Sequence, residues 1–412
     1  MSTTPSRLHL FQAFGIELEY MIVDRDSLEI RSIADKLLYD HPRAEEGERN
    51  NGSITWSNEL VSHVIELKLT KPEFNLNAAA HALADNVVLI NQELSQWGCQ
   101  LMPGAAHPWM SPAKETRLWP YDHAAVYQLY DKIFGCSGHG WSNLQSTHLN
   151  LPFYDDEEFA RLHAAIRVLL PILPALCASS PVLDGSPTGK MDTRMHYYKT
   201  NQSAIPSITG KIIPEAIYSR RQYGHQVYDR IREDLAAFDP DKILDPVWVN
   251  SRGAIPRFDR GSIEIRVMDI QECPAADVAI VQLVIETLRA LVGEELASHE
   301  QQMSARTEIL SGILDDCTVN GMGTEILSSE YLALFGIREF ATAGEIWATI
   351  VDQLKKRNHE LLDQWKPELD VLLREGNLAS RILRVAGQSP EELKKVYARL
   401  CGCLQQNKMF IP

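Results

Sequence analysis

The sequence predicts an α+β fold: a mainly antiparallel sheet with helices packed on one face and an open polar face opposite. Three observations carry this reading. Short segments alternate apolar and polar residues with period two, as half-buried strands do. Their apolar residues lie on one side only, whereas parallel strands covered on both faces read as continuous apolar runs. Amphipathic helical stretches and long loops separate them.

The first strand is Phe14 to Val23, FGIELEYMIV. It sets Phe14, Ile16, Leu18, Tyr20 and Ile22 on one face, and Glu17 and Glu19 on the other. The second is Val61 to Leu69, with Ile65, Leu67 and Leu69 opposite Glu66 and Lys68; Glu59 precedes it. Asn77 to Trp97 reads as an amphipathic helix ended by Gly98. The third strand is Gln145 to Leu151, where Ser146, His148 and Asn150 share a face. Glu157 to Ala178 is helical in pattern, but Pro171 and Pro174 predict a kink or two shorter pieces. The fourth strand is Ser262 to Met268, with Ile263, Ile265 and Val267 opposite Glu264 and Arg266. Pro274 opens a helix running to about Ser298. Beyond about Glu300 the pattern is mostly helical, over Ala343 to Leu362, Pro367 to Glu375 and Pro390 to Leu404. The expected organisation is a catalytic sheet domain, 1–299, with a helical addition packed on it, 300–412.

Composition excludes several partners. Forty Lys+Arg against 55 Asp+Glu give a net charge of −15, a poor match to nucleic-acid phosphates. No stretch of about 18 apolar residues predicts a membrane span, and no polybasic run suits an anionic lipid surface. Met1 to Gly15 carries no signal-like apolar run. The seven cysteines are scattered without C-x-x-C pairs, which predicts reduced thiols and a cytoplasmic setting.

The chemistry lies on the polar face. An E-x-E, an H-x-N or an E-x-R is bland by itself; an exposed ion pair contributes about 0–1 kcal/mol. Together, Glu17, Glu19, Glu59, Glu66, His148 and Glu264 would repel one another strongly without balancing cations. Hard cations such as Mg²⁺ or Mn²⁺ prefer carboxylate oxygens and commonly share them with substrate phosphates. Carboxylates with a few arginines are what a nucleotide-plus-metal phosphoryl-transfer site needs.

Four segments in order, FGIELEYMIVD, NELVSHVIELKLTKP, THLNL and RFDRGSIEIRVMD, resemble the glutamate–cysteine ligase superfamily, and its bacterial carboxylate–amine ligase branch most. Met102 to Met110, MPGAAHPWM, is also similar to that branch. The resemblance covers roughly residues 13 to 295. It implies a curved antiparallel sheet like that of glutamine synthetase and guanidino kinases, holding ATP and metal on its concave face. It implies ATP-dependent joining of a carboxylate to an amine through an acyl phosphate, with the glutamate side chain as default donor. By motif, Glu17, Glu19, Glu59, Glu66, His148 and Glu264 are expected as metal ligands. Arg266 is expected on phosphate, aided by Arg257 or Arg260, and Asn150 beside the nucleotide or substrate.

Outside those motifs, Gly135 to Trp141, GCSGHGW, departs from the Walker pattern and reads as a loop that could border the pocket. Arg194 and Lys199 are candidates for a substrate carboxylate or phosphate, with solvated surface positions as the alternative. His107 and His139 are equally open to structural roles. A metal-dependent amide or phosphate-ester hydrolase and a non-catalytic nucleotide-binding regulatory protein are the competing functions. The expected partners are small carboxylates and amines, with a homodimer as the guessed oligomeric state.

Overall fold

A computed structural model describes residues 7–39, 44–45, 47–357, 360–387 and 389–412. Its main sheet contains strands β1 (Gly15–Asp24), β2 (Ala44–Glu45), β3 (Glu48–Asn51), β4 (Ile54–Asn58), β5 (Val64–Leu69), β6 (Cys99–Met102), β7 (Ser146–Pro152), β8 (Ala254–Arg257) and β9 (Ser262–Asp269). They run in the order β8-β9-β7-β1-β5-β4-β3-β2, with β6 also on β1, and every pairing is antiparallel. The predicted α+β class and antiparallel sheet are therefore present.

All four predicted strands form; β1 and β7 begin one residue later than expected and β5 three residues later. Val61 to His63 make a turn before β5, closed by Val64 N–H donating to Val61 O at 3.2 Å. Strands β2, β3, β4, β6 and β8 were not anticipated. The β3–β4 hairpin turns at Gly52, whose φ of +85° is a left-handed value that glycine adopts without strain.

The principal helices are α1 (Leu76–Leu94), α2 (Ala124–Phe134), α3 (Asp156–Leu169), α4 (Thr193–Tyr198), α5 (Pro274–Val292), α6 (Thr307–Asn320), α7 (Ala343–Lys356), α8 (Leu378–Val385) and α9 (Pro390–Gln406). The proline-rich stretch breaks as expected: α3 stops at Leu169, a tight turn spans Leu170–Ile172, and a short helix follows over Leu173–Cys177. Asp156–Cys177 has the length and hydropathy of a membrane span, but 89% of its apolar window is buried inside the protein, which makes it core.

Ile16, Leu18, Tyr20 and Ile22 on the back of β1 are buried in one continuous core with residues of α1, α3 and α5. Leu310 and Leu314 of α6 and Ile346 and Trp347 of α7 belong to the same core. The chain after residue 300 thus adds to the core of the sheet domain, and it includes a small two-stranded ribbon, Glu325–Ile326 with Ala341–Thr342. A second cluster covers the far end of the front face. Met21 and Val23 of β1 pack there with Ile382 of α8 and Tyr397 of α9. The polar face is open only around Glu17 and Glu19, so helices lie on both sides of the sheet.

A buried ion pair fastens α8. Arg381 and Glu272 are both fully buried; Arg381 also donates to Phe410 O at 2.6 Å, and Phe410 N–H donates to Glu272 at 2.9 Å. Arg381→Met would strand the Glu272 charge. The expected cost is about 3–5 kcal/mol, read as a lower urea midpoint.

His163 of α3 is buried against Phe159, with ring centroids 5.1 Å apart. Burial, then the Arg167 charge, pushes its imidazole down from 6.5 to about 3. It stays neutral in the fold while the unfolded chain takes up a proton below 6.5, so stability is lost as pH falls through that window. His163→Gln should lose about 2 kcal/mol less stability than the natural chain between pH 7 and 5, measured by urea unfolding at both pH values.

Candidate active site

The strand registers bring the polar side chains together. Glu17 lies opposite Lys68 of β5 and His148 of β7, Glu19 opposite Glu66, and Glu264 opposite Asn150. Because side chains alternate along each strand, these matched positions all project to the front. All of them but Asn150 line a cavity of about 720 Å³, within the usual range for small-molecule sites. Glu59 joins them from the loop between β4 and β5.

Carboxylates and His148 fall into two trios. One ligand atom from each of Glu17, Glu66 and His148 lies within 4.8 Å of the other two, and the same holds for Glu19, Glu59 and Glu66. Ligands on opposite sides of a Mg²⁺ are about 4.2 Å apart, given bonds near 2.1 Å. Glu66 belongs to both trios. Its carboxylate accepts from Ser57 Oγ at 2.5 Å. Ser146 N–H donates to Glu19 at 2.7 Å, and Ser146 Oγ lies 2.9 Å from His148 Nε2. Asn150 donates to Glu17 at 3.0 Å.

Electrostatics point the same way. Burial raises Glu17, Glu19 and Glu59, and the neighbouring carboxylates push all three further. Burial and the Glu17 charge lift Glu66 to about 7. Burial and the Arg266 charge lower His148, leaving the neutral imidazole that a metal needs. Acidic groups that hold protons against their ordinary values, on neighbouring strands, are a donor set that fits hard divalent cations.

Arginines gather at the β8–β9 side. Arg266 Nε is 2.7 Å from Glu264 and Arg257 Nη1 is 3.8 Å from it. Burial disfavours the Glu264 charge, but the Arg266 and Arg257 charges outweigh it and hold the carboxyl below its ordinary value. Arg260 lies at the rim, mostly exposed, 3.9 Å from Asp259.

The model of the glutamate-cysteine ligase family 2 matches residues 13–399 of the chain. The chain belongs to this family. The match extends beyond the 13 to 295 stretch that the motifs covered, so the later helices are part of the family pattern. An Archaeoglobus fulgidus protein called "Uncharacterized protein" is 30% identical over 405 residues, 96% of this chain and 100% of its own length. A Frankia alni protein named "Putative glutamate--cysteine ligase 2-1" is 25% identical over 62% of this chain and 61% of its own length; the match thus spans about three fifths of that relative. Among solved structures, glutamate–cysteine ligase from Francisella tularensis in complex with AMP superposes with a TM-score of 0.63 at 13% identity, covering 98% of this chain and 89% of its own. At that identity the likeness shows the fold alone.

Within this ligase-family cavity the expected residues separate. Glu17, Glu19, Glu59, Glu66, His148, Arg257, Arg260 and Arg266 all line it. Glu264 lines it too but stands outside both trios, its carboxylate lying against the Arg266 and Arg257 guanidinium groups. Asn150 is not in the lining; its amide fixes Glu17. Arg194 reaches the lining, yet its guanidinium is committed to Asp269 and to the Arg266 carbonyl. Lys199 lies away from the cavity, its ammonium held by Asp315 at 2.5 and 2.7 Å. Its neighbour Tyr198 faces the cavity instead, since adjacent helical residues point about 100° apart.

Sequence reasoning missed Glu48, which binds Lys68 at 2.6 Å, and the aromatic cover of Tyr127, Tyr130 and Trp248. The Asn51-Gly52 dipeptide was the available signal for the hairpin that delivers Glu48 and Ser57. Gly140 and Trp141 of the GCSGHGW segment do border the cavity. His139 is 3.3 Å from Asp184, and His107 is buried on Leu28 O at 2.8 Å, a structural position.

Proposed function

We propose that the chain is an ATP-dependent ligase that joins a carboxylate to an amine through an acyl phosphate. The observation that carries this reading is the pair of trios sharing Glu66, four carboxylates and one imidazole in all, with Arg266 and Arg257 beside them, in one cavity. Glu17, Glu66 and His148, and Glu19, Glu59 and Glu66, would hold Mg²⁺ or Mn²⁺. Bound there, such cations neutralise the triphosphate and polarise its γ-phosphate.

The donor carboxylate attacks the γ-phosphorus of ATP. An O–P bond forms, the bond to the β-phosphate oxygen breaks, and ADP leaves. Arg266 neutralises charge on the transferred phosphoryl group, with Glu264 beside it as its counter-charge. Arg257 and the rim residue Arg260 add positive potential on the same side. The amine nitrogen then attacks the acyl carbon. A C–N bond forms, the C–O bond to phosphate breaks, and the amine's surplus proton passes to phosphate or solvent. No side-chain nucleophile is required, because the chain contributes position and charge. Glutamate is the default donor, and the acceptor amine belongs to the class that an ADP-release screen would identify.

The test is ADP formation with Mg²⁺ and pairs of amino acids and amines. Phosphate release that needs both a carboxylate and an amine supports the ligase. Amide or ester cleavage without ATP would establish the hydrolase instead. Tight Mg·ATP binding with no turnover on any pair would establish the regulatory alternative.

A further inference from the structure

Strand β9 carries a bulge beside the trios. Ile265 pairs with Leu149 and Met268 with Thr147, so Arg266 and Val267 together face the single residue His148. Bulged residues leave the ladder, and their backbone groups need partners elsewhere. Arg266 N–H donates to Gly253 O at 2.9 Å. Gly253 must be glycine for that approach, since a Cβ there would lie 2.6 Å from Val267 Cγ1. The Arg266 carbonyl accepts from Arg194 Nη2 at 2.7 Å.

Arg194 is itself locked. It is 2% exposed, with Nη1 3.5 Å from Asp269 and its guanidinium over the Tyr198 ring. Asp269 accepts from Ser179 N–H and Ser180 Oγ, both at 2.8 Å, and Ser180 Oγ accepts from Arg194 N–H at 3.0 Å. Asp192 caps α4 by accepting from Met195 N–H at 2.7 Å. Burial and the Asp269 charge raise Asp192 well above its ordinary value, and burial raises Asp269 as well, while the Arg194 charge opposes both shifts.

We infer that Arg194 is a positioning residue, which holds the Arg266 carbonyl at the bulge and so aims the Arg266 guanidinium at the bound phosphates. This rests on the ATP-binding reading of the cavity. A lysine ammonium is a point charge and cannot span the Arg266 carbonyl and Asp269 as a planar fork does.

The experiment measures Mg·ATP affinity by calorimetry on the full chain and on Arg194→Met, Arg194→Lys, Arg266→Met and the Arg194→Met/Arg266→Met double variant. Arg194→Met should weaken binding about tenfold, with Arg194→Lys similar. In the Arg266→Met background the same change should add nothing, because its effect passes through Arg266. Arg194→Lys keeps a cation beside Asp269; if Arg194→Met does not fold, Arg194→Lys with and without Arg266→Met carries the same comparison. Additive losses in the two backgrounds, or unchanged affinity in the Arg194 variants, overturn the inference alone. Failure of the natural chain to bind Mg·ATP overturns the ATP reading and the inference with it.

Discussion

Glu66→Gln is expected to lower metal-dependent ATP turnover by roughly three orders of magnitude while leaving the fold intact. Glu66 is the residue common to both trios, so its loss weakens two candidate cation sites at once. Glutamine preserves its size and can still accept from Ser57 Oγ. The effect on the metal-free protein should have the opposite sign. Glu66 sits among Glu17, Glu19 and Glu59, and its carboxyl is raised to about 7 by burial and the Glu17 charge. A folded carboxyl raised above its unfolded value holds a proton that the unfolded chain releases, so metal-free stability falls as pH rises from about 4.5 toward 7. Glutamine removes that dependence. At pH 8 without metal, Glu66→Gln should melt no lower than the natural chain, and added Mg²⁺ or Mn²⁺ should raise the melting temperature of the natural chain more. Normal turnover in the variant would remove the metal assignment.

Arg266→Met is expected to lower kcat by about a hundred- to a thousandfold, the usual cost of losing one charge-stabilising donor. Its guanidinium lies 2.7 Å from Glu264, and burial costs it less than the nearby carboxylates return, so its charge is held firmly. Removing it leaves Glu264 with Arg257 at 3.8 Å as its main partner. Arg266→Lys should recover only part of the rate, since an ammonium cannot contact Glu264 and two phosphate oxygens with fixed geometry. Arg260→Met should cost much less, because that side chain is mostly in solvent and screened. Steady-state ADP release with the productive substrate pair measures all three. Equal losses at Arg260 and Arg266 would contradict the assignment of Arg266 to the reacting phosphate.

The strands that carry Glu17, Glu66, His148 and Glu264 were legible because one face of each is packed on the core. That packing enforces a two-residue period, and the polar residues left over mark the open face. The edge hairpin was harder to read. Glu48–Asn51 is ERNN, with no apolar alternation, and it is a strand because β4 pairs with it. The aromatic cover was hidden for a different reason. Tyr127 and Tyr130 sit three apart on α2, which reads from sequence as an ordinary core stripe, yet both face the cavity. The roles of Arg194, Asn150 and Lys199 depended on contacts far along the chain. Arg194 meets Arg266 across 72 residues, Asn150 meets Glu17 across 133, and Lys199 meets Asp315 across 116. Local pattern shows that such groups are polar; only the fold decides which partner takes each charge.

The coverage of the front face follows similar logic. Met21 and Val23 continue the side of the strand that carries Glu17 and Glu19, and their apolar character marks where α8 and α9 close over the sheet. The switch from glutamate to methionine and valine along one face is the boundary of the open site.

The most direct measurement is anomalous diffraction from crystals soaked with Mn²⁺ and a non-hydrolysable ATP analogue. Two manganese peaks are expected, one among Glu17, Glu66 and His148 and one among Glu19, Glu59 and Glu66, each also touching phosphate oxygens. Phosphates bound elsewhere, or a cavity without manganese while the analogue is present, would contradict the proposed site.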